Sequence, residues 1–270
     1  MKGFASSTQV TPYLEEVVDL EPEVLFVEGG VDLTTYFAAA AHLRRERYCF
    51  VNSHSRPLVG GWLAKLDAAL EQPEVGLVGA TGSWASSRSW MAHSLGLPGA
   101  YRGVLPPARL ARAQLLAVEL EHAETDRRSR RETARARWAA ARQLLQIEGF
   151  PAHHLRTNAF MVSDAILRRL RLRSIGNKLD AYALEHGRQS ITRQVQRMGL
   201  RTLVVDRQGA VYDHGHWNLS HTFWQGAQEG LLVADRRTLA YQRGDCARRR
   251  VLSAYAWGAH ADPRPGGQMR

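Results

Sequence analysis

An α/β layered domain with a mainly parallel sheet is the fold class the sequence predicts, on three observations. Short, continuously apolar runs recur along the chain and read as strands buried on both faces. Amphipathic helical stretches separate them, and that alternation argues for helices crossing over between parallel strands. The chain has 270 residues and is 44% hydrophobic, enough for the core of one large domain or two small ones.

The elements follow in chain order. Thr11 before Pro12 is an N-cap and first-turn pair. Val24-Leu-Phe-Val27 is the first strand, and Glu28-Gly-Gly-Val-Asp32 is a turn whose Asp32 caps a helix beginning at Leu33. Tyr48-Cys-Phe-Val51 and Val75-Gly-Leu-Val78 are strands. Between them, Gly61–Glu71 sets Trp62, Leu63, Leu66, Ala69 and Leu70 on one helical face. Pro106–Glu148 reads as a helical hairpin carrying Arg127, Arg128, Arg130, Arg131, Arg135 and Arg137. It stands between strand candidates, so it is an arginine-rich insertion rather than a separate domain. Ala159-Phe-Met-Val162 is the next strand, and Ser163 caps a helix through Leu172 with Ile166, Leu167 and Leu170 as its stripe. Ile191, Val195 and Met198 mark another helix, ended by Gly199 before the strand Leu203-Val-Val205. Residues 1–212 thus form the domain, with the insertion at about 106–148. Residues 213–260 form a C-terminal extension packing on the core, and 261–270 a tail of disordered composition.

Composition removes several function classes. Charged residues are 23% of the chain, too balanced for wholesale disorder. No apolar run approaches the ~18 residues of a spanning helix, and Met1–Val10 lacks a signal-peptide core. Cys49 and Cys246 show no metal-ligand spacing, and a reducing cytoplasm is the simplest home. The net charge is +10, and of the 36 Lys and Arg only Lys2, Lys65 and Lys178 are lysines. A basic chain attracts nucleic acid, anionic lipid head groups or phosphorylated small molecules. No nucleic-acid module and no alternating aromatic–basic strand is present, so nucleic acid is the weakest of the three. The insertion suits docking onto an anionic membrane surface. Equally, it is a solvated hairpin in which Glu119, Glu121, Glu124, Asp126 and Glu132 offset much of the charge.

The most informative stretch is Tyr48-Cys-Phe-Val-Asn-Ser-His-Ser-Arg-Pro-Leu-Val-Gly-Gly-Trp-Leu-Ala-Lys-Leu66, continuing to Pro73-Glu-Val-Gly-Leu-Val-Gly-Ala80. It resembles the central segment of GT-A fold glycosyltransferases of the family 2 type, which build cell-surface polysaccharide. There the strand ends in Asn-x-Asp-x, followed by Pro-x-x-x-Gly-Trp-Leu. Later elements come in a fitting order: an Asn-containing strand at Asn158-Ala-Phe-Met161, a helix ending in Gly199, then Leu203–Val205. The resemblance covers roughly Val24 to Asp206, interrupted by the insertion.

The resemblance implies a three-layer α/β/α, Rossmann-like fold and transfer of a sugar from a nucleotide-sugar donor to a glycan or lipid-linked acceptor. It implies a cytoplasmic protein, peripheral at the inner membrane face. Ligands of open parallel sheets bind beyond the carboxyl ends of strands, which puts Asn52, His54 and Arg56 at the donor site. Enzymes of this fold recruit Mn²⁺ or Mg²⁺ through Asp-x-Asp to stabilise the leaving diphosphate. Here His54 stands where the main Asp would be. Three readings stay open: His54 is a metal ligand, Arg56 replaces the ion by pairing with phosphate oxygens, or His54 is a polar strand-end residue without chemistry. Asp32 would contact base or ribose, besides capping its helix. Arg156 and Asn158 would face the donor sugar. Trp84 would stack on the acceptor sugar or act as a hydrophobic plug. The general base needed to deprotonate the acceptor would be Glu185, with Asp180 second, or Glu185 is a surface group paired with Arg188. In His214-x-His216, His216 would be a late metal ligand, or these are plain loop residues. The resembled fold opens with a strand contacting the base, and none precedes Thr11. Either upstream codons encode it, or this copy has lost part of its donor pocket.

Overall fold

The computed structural model describes residues 32–52, 54–86, 88, 146–172 and 178–262. The strand at Val24–Val27, the bulk of the arginine-rich insertion and the tail beyond Asp262 lie outside them. Helix α1 (Asp32–His42) leads into β1 (Arg47–Val51) and the short β2 (Arg56–Pro57). Helix α2 (Trp62–Leu70) precedes β3 (Val75–Gly79) and β4 (Gly82–Ser83). The chain returns through β5 (His154–Leu155), β6 (Ala159–Ser163), α3 (Asp164–Leu167), α4 (Lys178–His186) and α5 (Ile191–Arg197). Strands β7 (Arg201–Val205) and β8 (Val211–Asp213) follow, then a 3-10 turn at Trp217–Ser220. The extension adds β9 (Val233–Ala234), α6 (Arg236–Gln242) and α7 (Cys246–Trp257).

The main sheet has the order β1-β6-β3-β7-β8. Its central strands read as unbroken apolar runs because both faces are covered. Tyr48, Phe50, Leu77, Phe160, Val162 and Val204 share one apolar cluster with Leu33, Leu167, Ile191 and Val195 from the helices. Ala159, Met161, Val78, Leu203 and Val205 share the other with Trp62, Leu66, Ala69 and Leu70 of α2. Helix α2 therefore buries the face expected of it. Gly61, at φ 68°, supplies the left-handed turn from which it starts. Trp217, Phe223, Trp224, Tyr241 and Trp257 of the extension belong to the first cluster, so this segment is continuous with the core.

Two expectations need correction. The sheet is mixed rather than mainly parallel. Only β3 and β7 pair in parallel among the described strands; β6 is antiparallel to both β1 and β3, and β8 to β7. Strand β8 follows a tight hairpin organised by Asp206. One carboxylate oxygen accepts the Gln208 and Ala210 amides at 2.9 Å each, and the other accepts the Tyr212 hydroxyl at 3.0 Å. The helix after Ser163 is also shorter than its stripe predicts, closing at Leu167 although Ser163 does cap it. Past Leu167 the bonding tightens, the Arg169 amide donating to the Ile166 carbonyl and the Leu170 amide to the Leu167 carbonyl, and the chain is then held by Gln194. The Gln194 side-chain amide accepts the Arg171 N–H at 2.7 Å and donates to the Arg171 carbonyl, giving that backbone non-helical partners. Helix α5 obeys its signals, with Ser190 accepting from the Arg193 amide and Gly199 at φ 78° after its end.

Candidate functional site

The antiparallel sense of β6 determines what meets at the carboxyl edge of the sheet. Val51 at the end of β1 faces Ala159 at the start of β6, and Gly79 at the end of β3 faces Phe160. The Asn52 amide donates to the Asn158 carbonyl at 3.1 Å, and the Ala80 amide to the Ala159 carbonyl at 3.0 Å. Three segments far apart in sequence thus share one edge. A fourth closes it: Ala234 of β9 pairs with Arg56 of β2, and the Asn158 amide donates to the Val233 carbonyl at 3.3 Å.

Arg156 and Asn158, expected to face a donor sugar, lie at this edge of the sheet but are closed off from solvent. Asn158 is 1% exposed, and its side-chain oxygen accepts the Thr81 hydroxyl at 2.5 Å. The Arg156 guanidinium lies 2.5 Å from Asp235 and 4.0 Å above the Phe223 ring. Burial pulls the Arg156 pKa down, opposed by Asp235. Burial alone would raise the Asp235 carboxyl, but Arg156 and the Thr238 N–H outweigh it and hold the group below the usual carboxylate range. Asp235 is also the N-cap of α6 in a reciprocal capping box with Thr238. These groups hold the extension to the sheet. Sequence reasoning missed Asp235, whose local signal was Asp235-x-x-Thr238 following an apolar run.

Asn52 organises the loop after β1: its side-chain oxygen accepts from the His54 amide at 3.0 Å and the Ser55 hydroxyl at 2.9 Å. His54 and Arg56 are left exposed. Asp32 opens α1, but its side chain lies outside the described residues. Trp84 requires correction. It is 5% exposed, its indole N–H donates to the His214 carbonyl at 3.1 Å, and its ring meets Trp257 edge-on at 5.4 Å. The aromatic ring therefore fills the core beneath α7 and offers no face to a sugar.

Glu185 is half-buried and lines a small recess with Leu77, Leu155, Thr157, Phe160, Ile191 and Thr192. The Thr157 hydroxyl donates to its carboxylate at 2.8 Å, which fixes the group beside Arg156 and Asn158. Asp180 does not line that recess; five residues along a helix turn a side chain by about 140°. Among the described residues, the donors at this edge do not fit a divalent cation. The Asn52 oxygen already accepts two hydrogen bonds, Arg56 brings positive charge beside it, and among the described residues no three His, Cys, Asp or Glu side chains converge. His216 follows β8, which runs away from this edge, and so His54 and His216 find no metal-holding company there.

A histidine group lies near Glu185, with His154 buried and His153 and His186 partly so. His154 and His186 have ring centroids 5.2 Å apart. Burial pushes His154 down to about 3, against a bond to the Ala152 carbonyl and helped by Arg156 and Arg237. Burial and Arg193 push His153 down to about 4, and His186 is also held well below its usual value, by burial first. These rings are neutral in the folded chain, whereas the unfolded chain binds protons from about pH 6.5 downward. Stability is thus full above about pH 6.5 and drains as pH falls toward about 3. Thermal melts from pH 7.5 to 4.5 should show a falling midpoint, with a shallower fall in His154→Gln; an equal slope in the variant would contradict this origin. The chain matches no known family model, no curated protein and no solved structure.

Proposed function

We propose that the chain is a GT-A-like glycosyltransferase of the family 2 type, moving a sugar from a nucleotide-sugar donor to a glycan or lipid-linked acceptor in cell-surface polysaccharide synthesis. One observation carries this reading. The two segments that bear the resemblance, Asn52–Arg56 and Arg156–Asn158, are neighbours at the carboxyl edge of the sheet, with Glu185 tied to the second of them. Ligands of open α/β sheets sit at such an edge. Helices on both faces of the sheet suit the three-layer arrangement that the reading expects.

In this reaction Glu185 accepts the proton of the acceptor hydroxyl as its oxygen attacks the anomeric carbon of the donor sugar. The bond from that carbon to the phosphate oxygen breaks, and its electron pair leaves with the nucleoside diphosphate. The acceptor approaches from the face opposite the leaving group, so the anomeric centre inverts. Thr157 orients the carboxylate, which a positioned base requires. Among the described residues no helix is long and apolar enough to cross a membrane; contact with the inner membrane face would rest on the insertion.

A thermal-shift screen against UDP, GDP and dTDP sugars, at low and high salt and with and without Mn²⁺ or Mg²⁺, tests the proposal. A salt-resistant rise with one nucleotide class is expected. A rise with none, or equal rises with all three that salt abolishes, would overturn it. The burial of Arg156 and Asn158 favours a second reading, a non-catalytic glycosyltransferase-like domain that binds a nucleotide or partner. Donor binding without sugar transfer or donor hydrolysis would select that reading.

A further inference from the structure

The carboxyl edge carries positive side chains where the resemblance implies a cation. Arg56 is exposed on β2, and its register partner Ala234 lies two residues before Arg236, which opens α6 and is exposed too. Two residues of extended chain span about 7 Å, so the two guanidinium groups can reach one ligand. His54, also exposed, belongs to the same loop as Arg56. The side chains of His54, Arg56 and Arg236 make no hydrogen bond or ion pair among the described residues. The acid nearest in the chain, Asp235, is 4% exposed and is already used by Arg156 and Thr238. Arg237 adds a further positive charge within electrostatic reach of Arg156 and Asp235. A rim of this kind repels a divalent cation and attracts its usual counter-ion.

We infer that Arg56 and Arg236, joined by His54, form a metal-independent binding site for the diphosphate group of a small ligand. The assignment rests on the glycosyltransferase reading for the identity of that ligand, a nucleoside diphosphate bearing a sugar. It does not rest on it for the anion chemistry. Guanidinium groups present paired N–H donors that match phosphate oxygens and keep their charge at any working pH. They would take over the charge neutralisation that a metal supplies in the resembled enzymes, the departing diphosphate leaving against fixed donors. The β2–β9 pairing sets the spacing of the two arginines, Arg56 on β2 and Arg236 just beyond the end of β9. This explains chemically how a loop with His54 at the acid position still serves a diphosphate.

Titration calorimetry on the full chain in EDTA, with pyrophosphate and with UDP, GDP and dTDP, provides the test. The variant R56Q/R236Q is compared with R169Q/R250Q, which removes the same charge from exposed arginines outside this ribbon. Wild type is expected to bind in EDTA, the first variant at least about ten-fold more weakly and the second within about two-fold. Folding is checked by thermal melts, since all four positions are exposed. Equal weakening by both variants, or binding only with Mn²⁺ or Mg²⁺, would overturn the inference. Pyrophosphate binding that R56Q/R236Q alone weakens, with no preference among nucleotides, would support the site while sinking the glycosyltransferase reading. Nucleotide-selective binding that needs a metal and ignores R56Q/R236Q would do the reverse. Absence of any binding would sink both.

Discussion

Asp235→Asn is expected to cost about 3–5 kcal/mol of folding stability, although asparagine caps a helix as well as aspartate does. The cost comes from Arg156. Its side chain is 10% exposed and its guanidinium lies 2.5 Å from the carboxylate, so the neutral variant leaves a buried cation without its directly bonded anion, and the half-buried Glu185 carboxylate acts on it more weakly than Asp235 does. The Phe223 ring below it offers only a quadrupole, worth about 2 kcal/mol when desolvated. Against a typical total of about 5–15 kcal/mol, the change should be plain in urea melts. The double variant Arg156→Met with Asp235→Asn should recover most of the loss, because the buried cation is gone while the cap on α6 stays. A single-variant cost below about 1 kcal/mol, or a double variant no better than the single, would show that the pair does not hold the extension to the sheet.

Glu185→Gln is expected to lower sugar transfer about 10²–10⁴-fold while leaving donor affinity unchanged. Glutamine keeps the shape and still accepts the Thr157 hydroxyl bond seen at 2.8 Å, so the recess should stay intact. What disappears is the capacity to take a proton from the acceptor. Transfer under single-turnover conditions, together with the donor dissociation constant, separates the two effects. Thr157→Val should act more mildly, near ten-fold, because the carboxylate survives but loses its orienting partner. If Glu185→Gln weakens donor binding and leaves the transfer step untouched, Glu185 is a positioning residue and the base lies elsewhere.

Strands β1, β3, β6 and β7 were legible because each is an apolar run with a clear stop, whereas the short β2, β4, β5, β8 and β9 were not read as strands; helices were legible where a hydroxyl cap or a glycine marked the end. Ser163, Ser190 and Gly199 all act as their residue types predict. Strand direction was not legible. An apolar run such as Ala159-Phe-Met-Val162 reads the same whether it runs with its neighbours or against them, and only the path of the preceding chain decides. The length of α3 was hidden for a related reason, since Gln194, which holds the Arg171 backbone beyond its end, belongs to another helix. At the candidate site, the stretch from Asn52 to Arg56 and the carboxylate Glu185 could be singled out. The fate of Arg156 could not: its partner lies far along the chain, in an extension whose role no local pattern discloses. Trp84 showed the same ambiguity, as a tryptophan beside glycine is equally at home in a core or at a sugar face.

The closure of the sheet edge by β9 also imposes a timetable on synthesis. Arg56 leaves the ribosome about 180 residues before Ala234, its pairing partner, and at about 5–20 residues per second the wait is roughly 10–35 s. During that interval β1, β6 and β3 can assemble, but Arg156 has no Asp235 and the Asn158 amide no Val233 carbonyl. Such late, long-range contacts are slow to form in any case. The nascent chain therefore carries an unfinished polar seam until nearly its last helix is made, and a premature stop ahead of Gly230 would leave that seam open for the lifetime of the fragment.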